Sequence, residues 1–275
     1  MAGNEMIVDS LWSSQRVALV GGAGFIGHHL ALELSAAGAE VVVVDGLQVN
    51  SVAHYSTDAH FNSQSKDYLD YINERLALIR EAGIRLEVAD ARDYGLISRV
   101  LADFQPNTVF HLAAVAHANR SNKDPFSTFD HSLRTLENVL DAIKRPAPRF
   151  VYFSSSMVYG DFKEATVSEE SALHPKGIYG ALKSAGEQIV RAYGEVFDIP
   201  FTILRPSALY GERCVSRRVL QAFVENAVVG ENLSINGDGS DSLDFTYIKD
   251  LVQGAQLAGS LDQGINETFN LTYGQ

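Results

Sequence analysis

The sequence predicts an α/β fold in which helices cover both faces of a doubly wound, parallel β-sheet. Short apolar runs rich in β-branched or aromatic residues alternate with segments that carry apolar residues at helical spacing. A chain of 275 residues with 46% hydrophobic and 20% charged residues can bury a sizeable core. This composition excludes a disordered chain, a collagen-like repeat and a membrane bundle. We expect one large α/β unit with a smaller C-terminal lobe.

The strands are identified first, because each is short and rich in β-branched or aromatic residues. The predicted strands are residues 17–20, 40–44, 85–88, 108–112, 150–153 and 201–204, with a further strand-like segment at 267–271. The first helix carries Ile26, Leu30 and Leu34 on one stripe and ends at Gly38, and a later helix covers 128–143.

Two segments depart from this alternation. Residues 46–80 form a predicted insertion in the first domain, 16–205, which starts polar and turn-rich and ends in a helix. After Arg205 the pattern loosens into a mixed region with an apolar helix at 219–229. We therefore expect residues 206–275 to form mainly the substrate-binding lobe.

The charge and the cysteine content restrict the classes of binding partner and the cellular compartment that we expect. The net charge of −12 repels nucleic-acid backbones, so no nucleic-acid partner is expected. Cys214, the only cysteine, can form no internal disulfide, and residues 1–15 lack the pattern of a signal peptide. The longest apolar runs, such as 41–44, are far shorter than the roughly 18 residues of a membrane span. These features favour a cytoplasmic protein with no membrane partner.

A glycine-rich turn follows the first strand directly and opens the first helix. Gly21, Gly24 and Gly27 give the pattern G-x-x-G-x-x-G. The first glycine permits a tight turn, the second lets the backbone approach a pyrophosphate, and the third lets helix and strand pack closely. The free N–H groups at the helix start would face the phosphates. The context predicts a Rossmann-like dinucleotide site.

An acidic residue ends the second strand, where it would accept hydrogen bonds from ribose hydroxyls. This residue is Asp45, and because it would repel a 2′-phosphate, NAD is favoured over NADP. Asp90 ends the third strand, where it would accept from the adenine amino group or stand as an ordinary surface-turn aspartate. The other predicted cofactor contacts are Phe25, Ile26, Ala91, Leu112, Ala113 and Ala114.

Tyr179 and Lys183 stand at i, i+4 on a predicted helix and so share one face. A phenol is a poor base at neutral pH, but an adjacent ammonium group favours its ionised form. Serines at 154–156 end a strand shortly before this helix, where a hydroxyl would bond a reacting oxygen. An exposed tyrosine–lysine pair is the alternative to a catalytic one.

Five segments occur together in order along the chain: the glycine loop, FHLAA at 110–114, SSSMVYG at 154–160, YGALK at 179–183 and LRPSALYG at 204–211. This joint pattern resembles the extended short-chain dehydrogenase/reductase family, and within it the NAD-dependent epimerase/dehydratase branch. The resemblance implies a nucleotide-diphosphate-sugar epimerase, a 4-epimerase by preference, in which Tyr179 is the acid/base. It also implies that Lys183 lowers the pKa of this tyrosine and holds the nicotinamide ribose. Ser155 would hydrogen-bond the reacting oxygen, with Ser154 and Ser156 as alternatives for that hydroxyl.

Departures from the family pattern favour epimerization over dehydration. Where 4,6-dehydratases of the family have an Asp-Glu pair after the reactive hydroxyl, this chain has Ser156 and Met157. Epimerization needs no such acid, because hydride leaves the sugar for NAD and returns to its other face. Two alternatives stay open. One is a 4,6-dehydratase whose acid groups lie elsewhere in the sequence. The other is an NAD-binding sensor without turnover, which is favoured by three positions that depart from the family pattern, Ser132, Ala208 and Leu243.

The resemblance also places residues on the substrate side. Predicted substrate contacts are Ser156, His117, Arg205, Arg217 and Arg218, and the resemblance adds Asn270. His28 and His29 have no third ligand at metal spacing, so no metal is expected. Family members dimerize through the tyrosine helix and the helix at 128–143, which implies a homodimer. They also continue past the equivalent of Gln275, which implies a substrate lobe that is incomplete or naturally short.

Overall fold

A computed structural model describes residues 11–48, 51–58, 63–115, 118–162, 164, 166–235, 237–240 and 242–274. Seven strands form one sheet in the order β3-β2-β1-β4-β5-β6-β9, and every neighbouring pair is parallel. The strands are β1 Arg16–Val20, β2 Glu40–Asp45, β3 Arg85–Val88, β4 Thr108–His111, β5 Arg149–Phe153, β6 Phe201–Pro206 and β9 Glu267–Leu271. The predicted doubly wound parallel sheet is confirmed.

Helices cover both faces of this sheet. They are α1 Phe25–Ala36, α2 Val52–Asp58, α3 Ser63–Glu81, α4 Tyr94–Phe104, α5 Ala118–Lys123, α6 Pro125–Phe129, α7 Thr135–Ile143, α8 Gly177–Phe197, α9 Val219–Val228 and α10 Ile248–Ser260. Leu30 of α1 and Leu251 of α10 belong to the core on one face, while Leu136 of α7 and Val190 of α8 belong to the core on the other. None of the helices in the described part of the chain is both long and apolar enough to cross a membrane.

The structure differs from the sequence-based expectation in two helical regions. The insertion holds helix α2 ahead of the expected helix α3, although its sequence is polar and turn-rich. The expected helix at 128–143 is interrupted by a π-helical turn, Asp130–Arg134, between α6 and α7. Asp124 caps α6 by accepting from the Ser127 N–H, and Pro125 suits its first turn.

The chain after residue 205 forms a small separate sheet and also adds the last strand to the main sheet. A small two-stranded sheet consists of β7 Leu209–Tyr210 and β8 Thr246–Tyr247 and, with α9, belongs to the predicted substrate-binding lobe. Strand β9, by contrast, pairs with β6 at the edge of the main sheet. The predicted lobe 206–275 thus shares its last strand with the first domain.

Candidate active site

A cavity of about 620 Å³ lies at the carboxyl ends of the central strands. The strand order reverses between β1 and β4, and open α/β sheets bind their ligands at such a switch point. Most of the predicted cofactor residues line this cavity, namely Gly21, Gly24, Phe25, Ile26, Gly27, Asp45, Asp90, Ala91, Leu112, Ala113 and Ala114.

Two glycines of the loop are needed for different reasons, since Gly21 packs against the backbone after β4 and Gly24 leaves open space. Gly21 has φ 82°, and a Cβ there would come within 2.6 Å of the Ala113 backbone nitrogen. A Cβ on Gly24 would meet only the Gly21 oxygen, at 3.3 Å, so the chain is open on its cavity side. Helix α1 starts directly after Gly24, and its first N–H groups are suited to a pyrophosphate.

Asp45 is held at the end of β2 by two backbone donors. Its carboxylate accepts from the Ala23 N–H at 3.0 Å and from the Leu47 N–H at 2.8 Å. Burial raises the pKa of this carboxyl, and the two hydrogen bonds act in the opposite direction. A carboxylate beside the glycine loop is a natural acceptor for ribose hydroxyls, so the residues present fit a dinucleotide.

Asp90 is engaged by its neighbours at the rim of the same cavity. Arg92 donates to it from Nε and Nη2, and Gln48 donates from Nε2 at 3.1 Å. The hydrogen bonds from Arg92 are the main reason that the pKa of Asp90 falls to about 2. The side chain is therefore a fixed anion whose acceptors are already partly used.

A second cavity of about 1180 Å³ is lined mainly by residues of the predicted substrate-binding lobe. Ser155, Ser156, Met157 and Tyr179 form one wall of this cavity. Arg218 lines both cavities, so the two spaces meet beside it. The arrangement allows a ligand in the second cavity to reach one held against the glycine loop.

The structure brings Tyr179 and Ser155 together. Ser155 Oγ accepts from the Met157 N–H at 3.2 Å, which leaves its own proton to donate to the Tyr179 phenol oxygen. Burial raises the pKa of Tyr179, while the charge of Arg218 and the hydrogen bond from Ser155 oppose that rise. Both groups therefore favour the ionised form that a general base needs.

Lys183 lies one turn further along α8 and is buried. Its ammonium group donates to the Phe153 carbonyl at 2.6 Å and lies 6.0 Å from the centre of the Tyr179 ring. Burial lowers the pKa of Lys183 to about 7, and the Glu187 carboxylate acts in the opposite direction. Lys183 thus contacts the strand end that carries the serines.

A buried polar network continues beneath this pair. Glu187 is fully buried, accepts from Ser154 Oγ at 2.6 Å and forms an ion pair with Arg205 at 2.7 Å. Arg205 also donates to the Tyr159 hydroxyl, which donates to Asn270 Oδ1. Arg205 and Asn270 were both predicted on the substrate side; the structure buries Arg205 in this network and leaves Asn270 half-buried at its end.

Glu187 is the site residue that sequence reasoning missed. It follows Tyr179 and Lys183 at the same spacing of four along α8, so its position on their face was readable from the sequence. Its partner Arg205 comes from β6, a pairing that only the fold reveals.

The remaining predictions fall in different surroundings. Arg217 lines the second cavity and donates to Glu225 at 3.2 Å, and Ser156 lines the same cavity. His117 lies outside the described residues. Within the described ranges, no group of three or more His, Cys, Asp or Glu side chains could hold a metal ion.

Comparison with known proteins identifies close similarities over nearly the whole chain. The model of the family described as the NAD dependent epimerase/dehydratase family matches residues 17–272. A Bacillus subtilis protein named uncharacterized UDP-glucose epimerase YtcB is 30% identical over 93% of this chain and 76% of its own length. A dTDP-glucose 4,6-dehydratase of Haemophilus influenzae is 28% identical over 93% of this chain and 73% of its own.

Solved structures agree with this result. The crystal structure of UDP-glucuronic acid 4-epimerase from Bacillus cereus, in complex with UDP-glucuronic acid and NAD, superposes with a TM-score of 0.75. The two sequences are 27% identical, and the match covers 94% of this chain and 78% of that one.

Proposed function

Because the chain belongs to the NAD dependent epimerase/dehydratase family, we propose that it is a nucleotide-diphosphate-sugar epimerase acting at C4 of the sugar. Its relatives include NAD-dependent sugar-nucleotide epimerases and dehydratases, which are enzymes. The observation that carries the choice of epimerase is the wall of the second cavity. There Ser155 meets Tyr179, while Ser156 and Met157 bring no acid beside them.

NAD is the cofactor, and when bound it accepts a hydride from the sugar and returns it. The glycine loop and the start of α1 hold its pyrophosphate, and Asp45 accepts from its ribose. The open side of Gly24 and the two backbone donors that orient Asp45 support this placement.

Tyr179 moves the proton that balances this chemistry. As the phenolate it takes the proton of the sugar hydroxyl during oxidation, and as the phenol it returns that proton to the carbonyl oxygen. The hydrogen bond that Ser155 donates to the phenol oxygen and the charge of Arg218 both favour the phenolate. General acid–base groups of this kind accelerate reactions by roughly 10²–10⁴-fold.

Lys183 contributes from behind the tyrosine. Its bond to the Phe153 carbonyl fixes the end of β5 immediately before the serines, and its charged form favours the ionised phenol. Contact with the nicotinamide ribose is a further proposed role. Arg217 and Arg218 line the second cavity, where they would meet the nucleotide diphosphate.

The test is turnover of a panel of UDP-, dTDP- and GDP-sugars, followed by mass spectrometry and proton NMR. We expect a sugar isomer of unchanged mass from the parent protein, and a rate about 10²–10⁴-fold lower from Tyr179→Phe with NAD binding retained. Tyr193→Phe, on the same helix but away from both cavities, is the control.

Two other results would replace the proposal. A product lighter by one water would assign a 4,6-dehydratase, the activity named for the Haemophilus influenzae relative. Bound NAD without conversion of any sugar would favour a cofactor-sensing protein.

We also propose a cytoplasmic homodimer. Exposed Phe129 and exposed Val196 lie on the two helices through which the family-based expectation joins two copies, and exposed Phe126 lies one turn before Phe129. Light scattering tests this, and a monomer at high concentration would refute it.

A further inference from the structure

We propose that His28 and Arg213 form a positioning pair that sets the glycine loop against the substrate-side loop 211–218. This inference extends the proposed function, since it concerns how the cofactor cavity and the substrate cavity are held together. Neither side chain belongs to the Ser155, Tyr179 and Lys183 group. The pair joins residues 185 positions apart in the chain.

The hydrogen bonds fix the form of His28. Its Nδ1 lies 2.9 Å from the Gly24 carbonyl oxygen, which can only accept, so Nδ1 carries the proton. Nε2 then has a lone pair, and it accepts from Arg213 Nε at 2.9 Å. Burial, aided by the nearby charges, lowers the pKa of His28 to about 2, so the ring stays neutral. One imidazole thus links a glycine of the loop to a guanidinium.

Arg213 is held on every side of its guanidinium. Nη2 lies 3.5 Å from His29 Nδ1, and Nη1 donates to Glu74 of α3 at 3.1 Å. Its backbone carbonyl accepts from Arg75, a fully buried arginine of the same helix. The residue itself has φ 60°, a left-handed conformation that an arginine adopts only when its surroundings hold it there.

The position of this loop matters to both cavities. Gly211, Glu212, Arg213, Cys214 and Arg217 line the second cavity, Val215 and Ser216 line the first, and Arg218 lines both. His28 lines neither cavity and is fully buried. A substitution at His28 can therefore change ligand binding only through the loops that it joins.

The experiment measures NAD and UDP-glucose binding by calorimetry for His28→Leu, Arg213→Gln, their double variant and His28→Gln. We expect the NAD dissociation constant to rise about tenfold in each single variant and no further in the double variant, because both break one link. The UDP-glucose constant rises in His28→Leu as well, and this variant carries the argument for the second cavity because Arg213, unlike His28, lines that cavity itself. His28→Gln, which keeps one donor and one acceptor, restores most of the affinity. Arg134→Gln removes an exposed ion pair and serves as the control.

Thermal unfolding separates this role from a merely structural one. Variants that lose stability but bind NAD like the parent would overturn the proposal, and so would additive losses of affinity in the double variant. The NAD measurement requires no turnover. An absence of epimerase activity would therefore count against the proposed function alone.

Discussion

The helices on the two sides of the substrate cavity are packed very differently. Helix α8, which carries Tyr179, buries a polar face of Lys183 and Glu187 whose groups are paired within the protein. Helix α9, across the cavity, has no buried residue, and Val224 and Val228 are exposed. Reacting groups need fixed geometry, whereas a recognition surface can be adapted without disturbing it. Under the proposed function, the well-packed helix carries the reacting groups and the exposed helix faces the substrate.

Removing Glu187 is the strongest way to break this contrast. Glu187→Ala leaves Arg205 as a buried charge without its carboxylate, and loss of one partner of such a pair costs about 3–5 kcal/mol of unfolding free energy. Urea denaturation followed by circular dichroism measures it. Glu195→Ala, an exposed position on the same helix, is expected to change stability by less than about 0.5 kcal/mol. Equal effects at the two positions would show that the network beneath Tyr179 does not stabilise α8.

The network around Glu187 also shows which features of the site could be predicted from the sequence. The strands and the parallel sheet follow from alternating apolar runs, and the glycine loop and Tyr179 follow from local spacing, because these signals lie within short segments. Arg205 was placed on the substrate side because its partner Glu187, on another element, is invisible in local patterns. The link from His28 to Arg213 was missed for the same reason.

Helix α2 shows a different limit. Residues 52–58 have no clear apolar stripe, so the sequence predicted turns there, and tertiary contacts decide the outcome. Val52 and Tyr55 pack against Tyr68, Ile72 and Val215, a cluster assembled from α3 and the substrate-side loop.

Burial of Lys183 on α8 makes the stability of the protein depend on pH. Burial lowers its folded-state pKa to about 7, against an unfolded value of 10.5, so above pH 7 the unfolded chain binds a proton that the folded protein has released. This group therefore makes the protein more stable as pH rises from 7 towards 10.5, by up to about 1.4 kcal/mol per pH unit.

The measurement compares urea unfolding of the parent and Lys183→Met at pH 7 and pH 9. We expect the parent to gain stability relative to the variant between these values, since methionine has no proton to release. Parallel pH profiles for the two proteins would mean that Lys183 stays charged in the folded state.

The smallest expected effect lies on α9. Val224→Ala removes two methyl groups that are already in contact with water, since Val224 is 56% exposed, and the free energy of unfolding should change by less than about 0.5 kcal/mol. Val190→Ala makes the same change on α8 at a residue that is 1% exposed, where lost burial and the resulting cavity cost about 2 kcal/mol. Denaturation curves of the two variants give the difference directly. A cost at Val224 as large as that at Val190 would require its methyl groups to be covered in solution, and α9 would then be a packed element like α8.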